Sequence, residues 1–427
     1  MNYILIPKIS YINGSITLPG SKSISNRVLL LSALSKGITK IENLLKSDDT
    51  YHMLMALKKL GIQYTLSKKY QICKIKGIGN HFNNKKNITI FIGNAGTVLR
   101  PLTALLSLGH NDIILIGNDQ MNNRPIKYLV DSLRQGGAKI KYLDKNGYPP
   151  IRIYGGYIGG KIKLNGNISS QFLTGLLIQT PLSDNDTIIE IKNSLVSKPY
   201  VRLTILLMKK FGIKIYHSNY SYFYIQGKQQ YISPGHYVVE GDATSATYFL
   251  ASAAIKGGTV RTIGINQNSI QGDIKFFNIL KSMGSKILFG HNYIECSKNR
   301  LIGLDIDMND YPDSAMTLSI LALFAVEKSI IRNIHHWVVK ESNRLYAISH
   351  ELKKIGVKIK IGQNYIEITP PKHIKSKIIE TYNDHRIAMC FSLLSLNKKI
   401  ILSNPKCVNK SFPNYFLEFN RISHRKK

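Results

Sequence analysis

Apolar residues along this chain gather in two recurring textures. The first is a run of mostly apolar and small residues led by small polar ones, as in SISNRVLLLSAL, SSQFLTGLLIQ and DSAMTLSILAL. Such runs predict helices buried against neighbouring elements, and six of them begin near Ser25, Gly96, Ser170, Thr244, Ser314 and His385. The second texture is a β-branched run after a short turn: ITKIEN, DIILIGN, TIIEIKN, TVRTIGI, SIIRNI and KIILSN, each read as a strand. A second helix follows and ends at a glycine before another strand, in LKKLGI, RQGGAKI, KKFGIKI, KSMGSKI and KKIGVKI.

Those closing glycines are Gly61, Gly137, Gly212, Gly284 and Gly356, spaced 76, 75, 72 and 72 residues apart. Glycine just past a last helical turn suits the left-handed cap that only it adopts without steric cost. The sixth copy lacks this ending and runs into the C-terminal tail. A period near 70 residues is too long for a simple solenoid unit and predicts βαβ-type modules in two groups of three. A linker is expected around Tyr231 to Gly241, where Pro234 and Gly235 lie, and a strand-like segment, Ile12 to Leu18, precedes Pro19-Gly20. The chain is therefore expected to form one lobe from 1–20 plus 241–427 and a second from 21–240, with hinges near 20 and 240 and closure over a ligand held between lobes.

Composition agrees with a folded, multi-domain chain. At 427 residues, 44% hydrophobic and 19% charged, it is too long for one ordinary core. No secretory leader is recognisable in MNYILIPKIS. The most apolar stretch, Met316 to Val326, carries Ser and Thr and reads as a buried helix, so no membrane partner is expected. Cys73, Cys296, Cys390 and Cys407 show no metal-ligand spacing, so no metal site is expected, and a few scattered thiols suit a reducing, cytoplasmic setting. The net charge of +33 raises nucleic-acid binding as a reading. The lysines are instead scattered as pairs such as Lys58-Lys59 and Lys209-Lys210, in a chain also rich in Ile, Asn and Tyr, a pattern of AT-rich coding rather than of a nucleic-acid partner.

Part of the basic excess does sit where anions bind. In LPGSKSISNR, Ser21-Lys22-Ser23 stands at a helix entrance, with Arg27 four residues beyond Ser23. Free backbone N–H groups and the dipole favour anions there, and Lys and Arg reinforce them; an ordinary cap with a solvated Lys reads equally well from this segment alone. GNAGTVLRPL places two glycines and a Thr at another helix start without forming a P-loop. Arg124 lies in MNNRPI, Asp313 in YPDSA, Lys340, Glu341 and Arg344 in VVKESNRL, and Asp384, His385 and Arg386 in YNDHRIA, most of them at matching module corners.

These segments, in this order and with SSQFLTG, GDATSA and KSFPNYF, resemble the 3-phosphoshikimate 1-carboxyvinyltransferase (EPSP synthase) family of enolpyruvyl transferases over essentially the whole chain. The resemblance implies an α/β fold of two lobes with six βαβαββ repeats, three per lobe, arranged as inside-out α/β barrels. It implies a monomer, without cofactor, that moves the enolpyruvyl group of phosphoenolpyruvate to the 5-hydroxyl of shikimate 3-phosphate. By motif, shikimate 3-phosphate would meet Lys22, Ser23, Arg27, Ser169, Ser170, Gln171, Ser197, Tyr200, Asp313, His336 and Lys340. Phosphoenolpyruvate would meet Lys22, Asn94, Gly96, Arg124, Gln171, Arg344, Arg386 and Lys410. Lys22, Asp313 and Glu341 would be catalytic, with Glu341 delivering a proton to the methylene carbon and Asp313 taking one from the hydroxyl. His336, Val338 and Asn343 depart from the family pattern, which commonly has Asn, a basic residue and Asp there, and weaker shikimate 3-phosphate binding is expected. Gly96 and Pro101 have the form of glyphosate-inhibited members. The sister family acting on UDP-N-acetylglucosamine usually carries a loop cysteine near the arginine equivalent to Arg124, and no Cys stands between Cys73 and Cys296.

Overall fold

The computed structural model describes residues 2–67 and 71–425. The chain divides into two compact units, Met1–Pro19 with Glu240–Lys427, and Gly20–Val239. In the second, three four-stranded sheets repeat one order: a parallel pair continued by two antiparallel strands. Gly160–Asn165 runs parallel to Thr187–Lys192, which pairs antiparallel with Tyr222–Ile225, and Tyr216–Ser218 closes the edge. The helices Ser170–Gln179 and Lys198–Lys210 fall between these strands in sequence, giving βαβαββ. Tyr216–Ser218 and Tyr222–Ile225 thus form a hairpin at a sheet edge.

The unit with both termini follows the same order in two sheets, and its third has three strands. There Tyr3–Ile6 pairs antiparallel with Ile400–Ser403, replacing the ending the sixth repeat lacks in sequence. Each unit also draws a strand from a distant part of the chain. Gly14–Thr17 runs parallel to Thr259–Ile263, and His236–Val238 runs parallel to Ile38–Glu42. The expected linker at Tyr231–Gly241 therefore holds a strand. Its Pro and Gly read as punctuation in sequence, but the first sheet of that unit needs a fourth strand, and long-range pairing outweighs local propensity.

The opening helices form where the apolar runs predict. They are Lys22–Leu34, Gly96–Leu105, Ser170–Gln179, Ala243–Lys256, Ser314–Leu321 and His385–Ser392. Helix Ser314–Leu321 is buried at every residue, and Lys22–Leu34 at every residue except Ser23. In the terminal unit their interior seam is polar but paired, with Thr247 and Thr317 hydroxyls 2.9 Å apart and Thr317 reaching Cys390 at 3.7 Å. All five closing glycines have φ between +85° and +103°, the left-handed geometry their position suggests. The first helix starts at Lys22, earlier than its apolar run indicates, which places Lys22 on the first turn. Among the described residues no helix is long and apolar enough to cross a membrane.

Candidate functional site

In unit Gly20–Val239, the starts of three buried helices come together. Asn26 Nδ2 donates to Thr97 Oγ1 at 2.8 Å, joining the first helix to the second. Arg27 Nη2 donates to Thr174 Oγ1 at 3.3 Å, joining the first to the third. Three N-termini so gathered favour an anion, because the positive ends of their dipoles and unsatisfied N–H groups add to the nearby cations.

Arg27 itself is buried, and its hydrogen-bond partners among the described residues are all neutral. Its guanidinium donates to Thr204 Oγ1 at 2.9 Å, the Ser23 carbonyl at 3.0 Å, Thr174 Oγ1 and the Tyr200 carbonyl at 3.5 Å. Burial pulls its pKa from 12.5 to about 10. Close by in sequence to Tyr200, Ser197 is the N-cap of its helix with a φ of +55°, and its buried hydroxyl has no hydrogen-bond partner among the described residues. A strained, non-glycine residue holding an unused hydroxyl marks a place shaped for a ligand. Ser169 caps the third helix by accepting from Gln171 N at 3.3 Å, and Ser170 is buried on its first turn.

Gly96 heads the second helix against three side chains. A Cβ added there would lie 2.7 Å from Arg100 Nη1, 3.1 Å from Gln171 Oε1 and 3.2 Å from Arg124 Nη1. Asn94 lies in the turn before it and donates to Gln120 Oε1 at 2.9 Å. Lys22 pairs with Asp49 at 3.3 Å, both almost fully buried. Arg100 and Asp49 escaped the sequence reading. Arg100 reads as a residue of an apolar helix, and Asp49 as the acidic first turn of an ordinary capped helix, Asp48–Lys59.

The terminal unit assembles a different device, a buried ion network. Arg344 donates to Asp313 Oδ1 at 2.7 Å, Glu341 Oε2 at 2.9 Å and Asp384 Oδ2 at 2.9 Å. Arg386 pairs with the other Asp313 oxygen at 2.8 Å and donates to the Tyr248 hydroxyl at 3.1 Å. Lys410 stands 4.0 Å from Glu341. Burial by itself would raise the Asp313 carboxyl, but Arg386, Arg344 and Lys340 hold it well below the usual carboxylate range. Burial likewise disfavours the Arg344 cation, yet Asp384, Glu341 and Asp313 more than reverse this and push it far up. Although Asp313 is the N-cap of its helix, its side chain makes no cap bond and is committed to arginine. Asp384 does cap its own helix, accepting from Arg386 N at 3.0 Å, and thereby fixes both Arg344 and the start of the Arg386 helix.

His336 is buried beside this network, and neither ring nitrogen has a hydrogen-bond partner among the described residues. Burial, then the Lys340 charge, lowers its pKa to about 2, so it is a neutral imidazole at any working pH. His385 is buried beside the network with Nδ1 3.5 Å from Asp384. Burial pushes all four cysteine thiols up to about 12, which removes them as nucleophiles. Each sequence-predicted residue thus falls in one of the two devices: Lys22, Ser23, Arg27, Asn94, Gly96, Arg124, Ser169, Ser170, Gln171, Ser197 and Tyr200 in the first, Asp313, His336, Lys340, Glu341, Arg344, Arg386 and Lys410 in the second.

Comparison with known proteins gives concordant results. The family model for EPSP synthase (3-phosphoshikimate 1-carboxyvinyltransferase) matches residues 6–419. The chain is 54% identical over 427 residues to a 3-phosphoshikimate 1-carboxyvinyltransferase of Photorhabdus laumondii, covering all of both chains. It is 55% identical over 423 residues to one of Buchnera aphidicola, covering 99% of each. Its fold is that of an EPSP synthase structure from Acinetobacter baumannii, at a TM-score of 0.82 and 24% identity over 99% of this chain and 98% of that one. The enolpyruvyl transferase NikO from Streptomyces tendae shares the fold at a TM-score of 0.78 and 14% identity, over 99% and 98% of the two chains.

Proposed function

We infer the chemistry of this chain from one premise: it belongs to the 3-phosphoshikimate 1-carboxyvinyltransferase (EPSP synthase) family, which it matches over residues 6–419. It is a transferase that moves the enolpyruvyl group of phosphoenolpyruvate to the 5-hydroxyl of shikimate 3-phosphate, releasing inorganic phosphate in the shikimate pathway. The observation that carries this reading to particular residues is Arg27, a buried guanidinium with only neutral partners. A permanent cation out of water is stabilised by an anion, and both substrates carry a phosphate and a carboxylate.

The residue roles follow as proposals. Arg27, Ser23, Ser169, Ser170, Ser197 and Tyr200 hold shikimate 3-phosphate, while Arg124, Asn94, Gly96 and Gln171 hold phosphoenolpyruvate. Arg344, Arg386 and Lys410 bind acidic groups of phosphoenolpyruvate. Glu341, 2.9 Å from Arg344, protonates the methylene carbon, and the 5-hydroxyl adds to the cationic carbon so formed as Asp313 accepts its proton. Lys22 assists departure of phosphate at the bridging oxygen as the resulting tetrahedral intermediate collapses, and the Glu341 carboxylate takes back a proton from the methyl group. The cations that depress Asp313 are those the substrate carboxylate claims, so binding releases this carboxylate to act as a base. Lys340 and His336 meet shikimate 3-phosphate beside Asp313. The enzyme works as a cytosolic monomer.

Phosphate release is the test. It is expected only with both substrates, and not when UDP-N-acetylglucosamine replaces shikimate 3-phosphate. Lys22→Ala and Glu341→Ala should each lower kcat by about 100-fold or more; phosphate release from phosphoenolpyruvate alone would contradict the assignment.

Gly96→Ala probes the phosphoenolpyruvate side. The nearest atom to the added methyl is the tip of a flexible arginine, so the fold should tolerate it with little change in melting temperature. The space before Arg124 narrows, and KM for phosphoenolpyruvate is expected to rise about tenfold, near the range for one misplaced methyl in a binding pocket. Inhibition by glyphosate, a longer molecule, should weaken further than substrate binding.

A further inference from the structure

We propose that Asp49 is the resting counter-ion of Lys22, an internal anion that holds this ammonium group at the head of its helix until a substrate anion takes it over. The inference rests on the reading that Lys22 handles substrate, and it adds a positioning residue to that reading. Lys22 Nζ and Asp49 Oδ2 are 3.3 Å apart, with 8% and 3% of their side chains exposed.

Asp49 is rigidly presented. Its helix begins in a reciprocal cap, with Ser47 N donating to Thr50 Oγ1 at 3.1 Å and Thr50 N to Ser47 Oγ at 3.4 Å. The loop before it is tied to the Lys22 helix by Leu45 N donating to Ser25 Oγ at 3.2 Å. Gly20 lets that helix begin close by, since any Cβ there would run into the Asn43 carbonyl oxygen. The same Asp49 oxygen, Oδ2, also accepts from Thr97 Oγ1 at 3.3 Å, and Thr97 accepts from Asn26 Nδ2 at 2.8 Å. The carboxylate thus stands between the helix that begins with Lys22 and the one that begins with Gly96, one residue from the glycine facing Arg100 and Arg124.

A carboxylate at this spot opposes the binding of anions, so its presence needs a compensating role. A lysine on a flexible stem, desolvated at a helix N-terminus and close to the helix start that faces Arg100 and Arg124, is repelled from the place where it must act. Asp49 keeps it there. When a phosphate or carboxylate arrives, Lys22 exchanges one anion for another without leaving its position. An ordinary bridge fastening two helices would share the distance but not the consequence, because its loss would loosen the site and weaken anion binding.

The test compares the full-length protein with Asp49→Asn and Asp49→Glu, titrating inorganic phosphate calorimetrically and measuring kcat and KM for phosphoenolpyruvate. Asparagine keeps the shape and an acceptor for Thr97 but removes the competing charge. Phosphate should then bind at least about fivefold more tightly, the weight of one unit charge about 4 Å away even at the dielectric of bulk water. At the same time kcat should fall about tenfold as Lys22 loses its anchor, with KM unchanged or lower. Asp49→Glu keeps the charge on a longer arm, so phosphate affinity should stay parental while kcat falls, and it carries the test alone if the Asn variant does not fold. Unchanged or weaker phosphate binding in Asp49→Asn, parental turnover in it, or a loss of phosphate affinity in Asp49→Glu, would overturn the proposal. Absence of phosphate release by the parent with both substrates would instead sink the transferase reading, and the phosphate titrations would still judge Asp49.

Discussion

Replacing Arg27 by Met is expected to raise KM for shikimate 3-phosphate by about 30- to 150-fold, while the melting temperature of the ligand-free protein holds or rises. Loss of one charge-assisted phosphate or carboxylate contact removes about 2–3 kcal/mol of binding. The stability side follows from the sign of the pKa shift. Burial lowers the Arg27 pKa to about 10, so the charged form is disfavoured in the folded state. That penalty, on the order of 3 kcal/mol, is fully present below about pH 10 and fades as pH rises through that value. Methionine removes it and leaves a pair of hydroxyls, Thr174 and Thr204, that already bond each other at 3.2 Å, with Thr204 also donating to the Tyr200 carbonyl. Thermal melts and initial-rate kinetics read both effects. A variant that melts well below the parent would mean that Arg27 is structural; one with parental KM would remove it from the site.

The same exchange at Arg344 should do the opposite to stability and destroy activity as well. Arg344→Met leaves Asp313, Glu341 and Asp384 without the guanidinium that faces all three. Stranding buried carboxylates costs about 3–5 kcal/mol, which in a unit of this size lowers the melting temperature by roughly 10 °C. The kcat/KM for phosphoenolpyruvate should fall at least about 1000-fold, because the anion loses a binding group and both proton-transfer groups lose their placement. The deficit should depend on pH. In the parent, cations hold Asp313 below its unfolded value, so its stabilising contribution is complete above about pH 4 and is lost as pH falls towards the depressed value. In the variant those carboxyls protonate readily, so the gap between the two proteins is widest near neutrality and narrows on acidification. A gap that stays constant from pH 7 to pH 4 would show that the network does not set stability.

These two arginines explain how far the sequence can be read. Arg27 and Arg344 both lie near helix starts, and the motifs around them point to anion chemistry. Nothing local says that one has only hydroxyls and carbonyls for company while the other has three carboxylates. That difference arises because Asp313, Glu341 and Asp384 are brought from separate turns onto one side chain, and Thr174, Thr204 and Tyr200 onto the other. Asp49 was invisible for the same reason: its partner Lys22 begins a different helix, and the Ser47–Thr50 cap explains its acidic turn without any site. His336 was legible as a departure, but its unpartnered ring is a property of the cavity that encloses it.

The chain by itself determined the repeat, the six buried helices, the strand after each and the glycine endings, because these follow from hydrophobic period and from backbone steric limits within a few residues. Motifs also marked most of the groups proposed to bind anions, since helix starts with small residues and cations are written contiguously. Only the tertiary structure decided which strand completes each unit's first sheet, and which cations are neutralised and which stand without an anion. Those outcomes depend on pairing and burial between segments far apart in sequence, where desolvation and Coulomb energy are set by neighbours that no local pattern names.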